Sequence, residues 1–261
     1  MLIATAQTPV THDAAENGAS IRAVMRAARL AGADLVHFPE GAASGYPTFP
    51  EQDWDLLQGE LEQIAVLARE LRLWTVFGSN RPISGEHRPR NSVYVVSDLG
   101  EIAGRYDKRL CSYNEIQNHY SPGFAPLVFD ARGLRFGCAL CIEINFPEVF
   151  LEYERLGVDC LLFSSHSKDA MFGVLAQAHA AMNCYWVSVS VPAQFAESLP
   201  SGVIGPDGSW IDRCAAAPVA TFALARLDTT DPTFAVPLEK ARPWRRLARE
   251  GTIYRERTIV R

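Results

Sequence analysis

Apolar residues along this chain gather in short runs whose spacing changes from one segment to the next. "LIATAQT" (Leu2 to Thr8), "ADLVHFP" (Ala33 to Pro39) and "WTVFGS" (Trp74 to Ser79) are compact, β-like stretches. Between them the period lengthens. A helix is predicted around Ile21 to Ala31, and Leu57, Leu61, Ile64, Leu67 and Leu71 recur near the helical repeat. Strand and helix in alternation give α/β order. The pattern then shifts. "NSVYVVS" (Asn91 to Ser97), "GEIAGRYDK" (Gly100 to Lys108), "APLVFDA" (Ala125 to Ala131) and "LRFGCALC" (Leu134 to Cys141) follow with turn-length gaps such as "DLG" and "ARG". Such gaps are the mark of antiparallel hairpins, so a mixed sheet is expected. Helices from about Pro147 to Leu156 and around Phe172 to Asn183 lead into the strands "DCLLFSS" and "YWVSVSV". A hairpin, "GVIGPDGSWI", turning at Pro206, Asp207 and Gly208, and a strand, "TFALARLD", complete the series.

Bulk properties narrow the class of molecule. No repeat, low-complexity tract or Gly/Ser linker divides the 261 residues, and one α/β domain spanning 1–261 accommodates them. With 48% hydrophobic and 21% charged residues, the chain can bury a substantial core. A formal charge of −5 leaves no basic footprint for nucleic acid or an anionic membrane, which points to a small-molecule partner. The opening "MLIATAQTPV" lacks the pattern of a secretory leader, and no run of about 18 apolar residues occurs, so a cytoplasmic protein is expected. Six scattered cysteines in mostly apolar settings read as reduced thiols. The basic tail from about residue 238, "EKARPWRRLAREGTIYRER", has no evident place in a core and is expected to dock at a subunit interface.

Three residues able to do chemistry share one setting, the C-terminal end of a predicted strand: Glu40 after "LVHFP", Lys108 after "IAGRYD" and Cys141 after "LRFGCAL". Taken singly, they read as a solvated carboxylate, a surface lysine and a small buried thiol. Their coincidence at the edge where open α/β sheets collect ligand sites is the informative observation. Cys138 and Cys141 form C-x-x-C, but no second ligand pair at zinc spacing accompanies them. A redox pair would need a helix N-terminus, whereas Cys138 falls inside a predicted strand and belongs to the core. Asn145 and Pro147 mark a turn into the next helix, with Glu148 in its first turn.

In this order, "FPEGAASGYP", "YDKRLCSYNEIQNHYSPG" and "CALCIEINFPEVF" resemble the three signature regions of the nitrilase superfamily, the carbon–nitrogen hydrolases. The late hairpin and the first strand extend the resemblance over most of the chain. It implies a four-layer α-β-β-α sandwich with mixed sheets, a catalytic Glu40–Lys108–Cys141 triad, and Glu115 as a second, structural glutamate. It also implies catalysis without cofactor or metal, and a homodimer or higher homo-oligomer. Two positions depart from the family's common pattern: Ile142 stands where an aromatic residue is usual, and Glu143 where aspartate is common.

The chemistry agrees with the resemblance. A free thiol is mostly protonated at neutral pH, with a reference pKa of about 8.5, and amide carbons are poor electrophiles. Glu40 can take the thiol proton and return it to the leaving nitrogen. Lys108 and the backbone N–H of Ile142 can hold the developing oxyanion. Ser165, His166 and Lys168 follow a strand at the same edge, and Tyr46, His119 and Tyr120 flank the triad segments, which makes them candidates to line the substrate pocket. The expected reaction is hydrolysis of a small linear amide or N-carbamoyl compound through a thioester. A nitrilase, a silent binding protein of the same fold and a thiol redox protein are the alternatives.

Overall fold

The computed structural model describes residues 1–85 and 87–259. Twelve strands run in chain order: β1 Leu2–Gln7, β2 Leu35–His37, β3 Trp74–Arg81, β4 Arg90–Val96, β5 Ile102–Asp107, β6 Val128–Ala131, β7 Leu134–Leu140, β8 Cys160–Ser164, β9 Trp186–Ser190, β10 Gly202–Ile204, β11 Trp210–Arg213 and β12 Thr221–Arg226. They form two six-stranded sheets, ordered β12-β1-β2-β3-β4-β5 and β11-β10-β9-β8-β7-β6. Each has a parallel centre, β1-β2-β3 in one and β7-β8-β9 in the other, flanked by antiparallel strands. Helices α1 (Ala14–Leu30) and α2 (Trp54–Leu71) cover the first sheet; α3 (Pro147–Arg155) and α4 (Met171–Asn183) cover the second. The expected α-β-β-α sandwich is the observed one.

Strand periodicity builds the layers. Ile3 of β1, Leu35 of β2 and Val76 of β3 face inward onto Phe136, Cys138 and Leu140 of β7 and Leu162 of β8, while Ala4, Ala6 and Val36 turn outward onto Ile21, Met25 and Ile64 of the helices. On the second sheet Ala139, Leu161 and Phe163 turn outward onto Phe150, Tyr153 and Ala176. Each large side chain fully buried in these clusters contributes roughly 1.5–3 kcal/mol. Cys138 lies in the layer between the sheets, as its place in a strand implied.

Two expectations are revised. The helix read from Ile21 begins at Ala14, because Asp13 caps it by accepting from the N–H groups of Ala15 and Glu16; the polar first turns concealed the start. The run of hairpins is broken between β5 and β6, which pair in different sheets, and the crossing segment carries Lys108 and Glu115. Within one chain, the basic tail expected at a subunit interface lies against α3 and α4, with none of its residues from 239 to 259 fully buried. Helix α5 (Arg242–Glu250) sends Arg246 and Arg249 to the buried carboxylate of Glu154, and Arg242 and Arg245 to the carbonyls of Val158 and Met182. Guanidinium groups thus meet the carbonyl-rich ends of α3 and α4, where the helix dipoles favour positive charge. No helix of the described residues is long and apolar enough to cross a membrane.

One polar chain crosses the layer between the sheets. His37, at the end of β2 and fully buried, is 2.8 Å through Nδ1 from Ser188 Oγ and 2.8 Å through Nε2 from Ser164 Oγ. Ser164 donates its hydroxyl to the Phe38 carbonyl, so it accepts from His37, whose proton is on Nε2. Ser188 then donates to Nδ1 and accepts from Thr5, 2.6 Å away. Every member is satisfied only while the imidazole is neutral, and burial lowers its pKa to about 3.

A base whose folded pKa lies below its unfolded value resists protonation, so acid favours the unfolded chain. Between pH 6.5 and about 3, His37 should remove about 1.4 kcal/mol of stability per pH unit. His37→Leu is therefore expected to be less stable at pH 7, yet to lose stability less steeply as the pH falls from 6.5 to 5. Urea unfolding of both proteins across that window measures the difference; parallel slopes would contradict the neutral imidazole.

Candidate active site

Three strands deliver the charged cluster to one edge. β5, two antiparallel steps from β3, runs in the same direction as β2 and β3, so Glu40 and Lys108 emerge at the same ends. Cys141 emerges from β7 in the facing sheet. The turn carrying Glu40 presses on β3 at Gly78, where an added Cβ would stand 2.5 Å from Gly41 N and 2.7 Å from Glu40 Cα, so any larger residue would push the turn away. Cys141 has a positive φ of 48°, rare for a residue with a side chain. It sits where β7 turns directly into a one-turn helix, Cys141–Asn145. Such a turn lifts a nucleophile off the strand end, in the manner of a nucleophile elbow.

Lys108 is fully buried, with Nζ 2.9 Å from Glu40 Oε1 and 2.7 Å from Glu115 Oε1. Asn91, at the start of β4, donates from Nδ2 to the same two oxygens at 2.7 and 3.3 Å. Its carbonyl accepts from Lys108 N. The His166 N–H donates to Glu40 Oε2 at 2.8 Å, and the Ser112 N–H to Glu115 Oε2 at 2.7 Å. Burial alone would discharge the ammonium, but Glu40, Cys141 and Glu115 hold its pKa well above the usual lysine value. Glu115 is correspondingly lowered: burial opposes ionisation and Lys108 outweighs it. Burial and then Glu40 push the Cys141 thiol up to about 12, against the pull of Lys108, the Ser165 hydroxyl and the His166 N–H. The resting cluster is a thiol beside an ammonium shared by two carboxylates.

Aromatic rings wall this cluster. Tyr46 packs on His166 with centroids 4.7 Å apart, and His166 meets the edge of Phe195 at 5.0 Å. The Tyr46 phenol is raised by burial and, next, by Glu40, which places it in the field of the site. Tyr120 donates to Asn80 Oδ1 and accepts from Thr48 N, fixing the loop that follows Tyr46. Ser165 is buried, with its hydroxyl beside the Cys141 thiol. Ile142 is half-buried beside Cys141; His119 lies behind Tyr120, 6.2 Å from its ring; Lys168 is exposed. Asn91 and Phe195 escaped the sequence reading. Asn91 left one signal, a polar side chain opening an otherwise apolar strand at this edge.

Sandwich and charged edge together define a hydrolytic α/β enzyme. The chain belongs to the carbon–nitrogen hydrolase family, whose model matches residues 2–230. Deaminated glutathione amidase of Bos taurus is 28% identical to it over 255 residues, covering 87% of this chain and 76% of that protein. Formamidase of Pseudomonas syringae pv. tomato is 30% identical over 135 residues, 50% of this chain and 39% of that one. Among solved structures, the NitN amidase from Nesterenkonia sp. AN1 superposes with a TM-score of 0.78 at 20% identity, covering 94% of this chain and 99% of that one. Its glutamate-to-glutamine variant shows Michael addition of acrylamide at the active-site cysteine.

With the thiol at about 12 and Lys108 higher than usual, neither group titrates between pH 7 and 9. Catalytic efficiency on a neutral substrate should therefore be flat over that range. A steady rise of about tenfold per pH unit would mean that free thiolate, rather than a base-assisted thiol, is the reacting species.

Proposed function

We propose that the protein hydrolyses a C–N bond of a small amide or N-carbamoyl compound through a thioester on Cys141. The observation that carries this reading is the buried Lys108 ammonium, ion-paired at once with Glu40 and Glu115 beside a buried cysteine. Glu40 Oε1 is taken by Lys108 and Asn91, whereas Oε2 accepts only the His166 N–H and keeps a free lone pair. Oε2 is thus the proton acceptor. As sulfur bonds to the carbonyl carbon, the thiol proton passes to Oε2 and the negative charge moves from Glu40 to the substrate oxygen. Lys108 Nζ and the Ile142 N–H stabilise that oxygen. Glu40 next protonates the leaving nitrogen, the C–N bond breaks, and a thioester remains. Water, deprotonated by Glu40, then releases the acid and restores the thiol.

Glu115 holds the lysine and, with Asn91, leaves Glu40 one productive oxygen. Lys108 is not a proton donor, because its carboxylate partners keep it charged. Tyr46, Ser165, His166 and Ile142 border the substrate, with His119 at the periphery. Amides rank above nitriles because the similar proteins named above are amidases and a formamidase. A silent binding protein is disfavoured by the complete charged cluster. A Cys138–Cys141 redox couple is disfavoured because Cys138 packs in the layer between the sheets while Cys141 belongs to the outer cluster. Self-association is the reading for partners. Met171, Val174 and Met182 of α4, and Trp244 and Leu247 of α5, leave apolar side chains exposed.

Ammonia release from a panel of amides, N-carbamoyl amino acids, ureido acids and nitriles tests the reading, and activity on none of them would refute it. Cys141→Ala should abolish turnover while Cys138→Ala keeps most of it; the reverse would reassign the nucleophile. Lys108→Gln is expected to slow acylation at least ~100-fold, the scale of one lost oxyanion donor. In Glu40→Gln, an activated substrate should still acylate Cys141 and the thioester should accumulate. The Michael adduct of acrylamide in the similar amidase is a thioether rather than a thioester, and it supports the part of this expectation that the cysteine stays reactive without the carboxylate. Intact-protein mass spectrometry reads it directly, and normal turnover without an adduct would remove Glu40 from the mechanism.

A further inference from the structure

Another buried carboxylate, Glu143, touches none of the reacting groups yet sits between the segments that carry two of them. Its side chain is fully buried and meets only donors. Oε1 accepts from the N–H groups of Arg109 at 2.8 Å and Leu110 at 3.1 Å, the two residues that follow Lys108. Oε2 accepts from the N–H of Leu140 at 2.8 Å, the residue before Cys141. The Tyr106 hydroxyl, two residues before Lys108, lies 2.7 and 2.8 Å from the two oxygens. One carboxylate therefore joins the end of β5 in the first sheet to the end of β7 in the second. It closes both around the lysine and the nucleophile.

We propose that Glu143 is a positioning residue that sets the two oxyanion donors, Lys108 Nζ and the Ile142 N–H, at a fixed separation. The inference rests on the thioester reading given above. The geometry supports it on both sides. Binding Leu140 N–H stabilises the abrupt turn that gives Cys141 its positive φ, and that turn determines where the next N–H, that of Ile142, points. Binding Arg109 and Leu110 fixes the backbone immediately after Lys108, so the lysine chain starts from a defined place. Only an acceptor on both oxygens satisfies this ring of donors. A glutamine would turn an NH2 group against either Leu140 N–H or the Arg109 and Leu110 pair, leaving buried donors unpaired. A displacement of about 1 Å between reacting groups can cost on the order of 100-fold in rate.

The test compares wild type with Glu143→Gln and Tyr106→Phe, which removes one donor from the clamp without placing a new donor in it. Circular dichroism and urea unfolding report the folded fraction. Iodoacetamide alkylation of Cys141, followed by mass spectrometry, reports reactive thiol independently of turnover. Glu143→Gln is expected to lower kcat per folded molecule roughly 10- to 100-fold with KM within about threefold, and to slow alkylation at least several-fold. Tyr106→Phe should shift both in the same direction by less. A Glu143→Gln protein that only loses active molecules, with the survivors turning over and alkylating at the wild-type rate, would overturn the proposal. If Glu143→Gln does not fold, Tyr106→Phe decides, and wild-type kcat and alkylation in that variant overturn the proposal. Should wild type hydrolyse no member of the substrate panel, the thioester reading falls by itself. Alkylation then still reads the clamp, and equal rates in wild type and Glu143→Gln reject it.

Discussion

The ammonium of Lys108, held without solvent between two carboxylates, is the constraint around which the rest of this molecule is arranged. An unpaired charge at that depth costs several kcal/mol, and removing one partner of a buried pair typically costs 3–5 kcal/mol. The charge can persist only if Glu40, Glu115 and Asn91 arrive together from three separate stretches of chain. That requirement explains the close approach at Gly78 and the crossing segment between the sheets. It also explains why the hydrogen-bond capacity of Glu40 Oε1 is used up while Oε2 keeps a free position.

Around that cluster the two sheets are registered by polar links as well as apolar packing. The hydrophobic layer between them is non-directional and tolerates sliding. The Thr5–Ser188–His37–Ser164–Phe38 chain does not, because each hydroxyl and each imidazole nitrogen has one assigned direction. It lies two to three residues before Glu40, at the end of β2, and one residue before Ser165, at the end of β8, so it fixes the relative height of the strand ends from which the site is built. Glu143 does the same between β5 and β7. Together these links bring rigidity to loops that would otherwise be free to separate.

The four arginines of α5 work at the opposite end of the second helical layer, on the carbonyl termini of α3 and α4 and on Glu154. There the charges are partly solvated, and each pair contributes far less than a buried one. The same chain thus uses ion pairs in two ways. At the candidate site a dry pair tunes proton affinity; at the tail a wetter set fastens a helix.

Much of this was present in the sequence. Period-2 and period-3.6 patterns placed nearly every strand and helix, since each element must bury one face, and that demand is local. The strand-end positions of Glu40, Lys108 and Cys141 were legible for the same reason, and the resemblance of their segments to a known family placed Glu115 beside them. The division into two sheets was not derivable from periodicity, because β5 and β6 read as neighbours in one hairpin series and only long-range pairing separates them. Asn91, Phe195 and the polar chain through His37 were hidden as well. Their meaning depends on partners up to 183 residues away. Sequence determined which faces are buried and which residues can do chemistry, because these follow from the composition and spacing of neighbouring positions. Tertiary structure alone decided which oxygen of Glu40 is free, how the thiol is held and what fastens the two sheets, because proton affinity and hydrogen-bond direction are properties of an assembled environment.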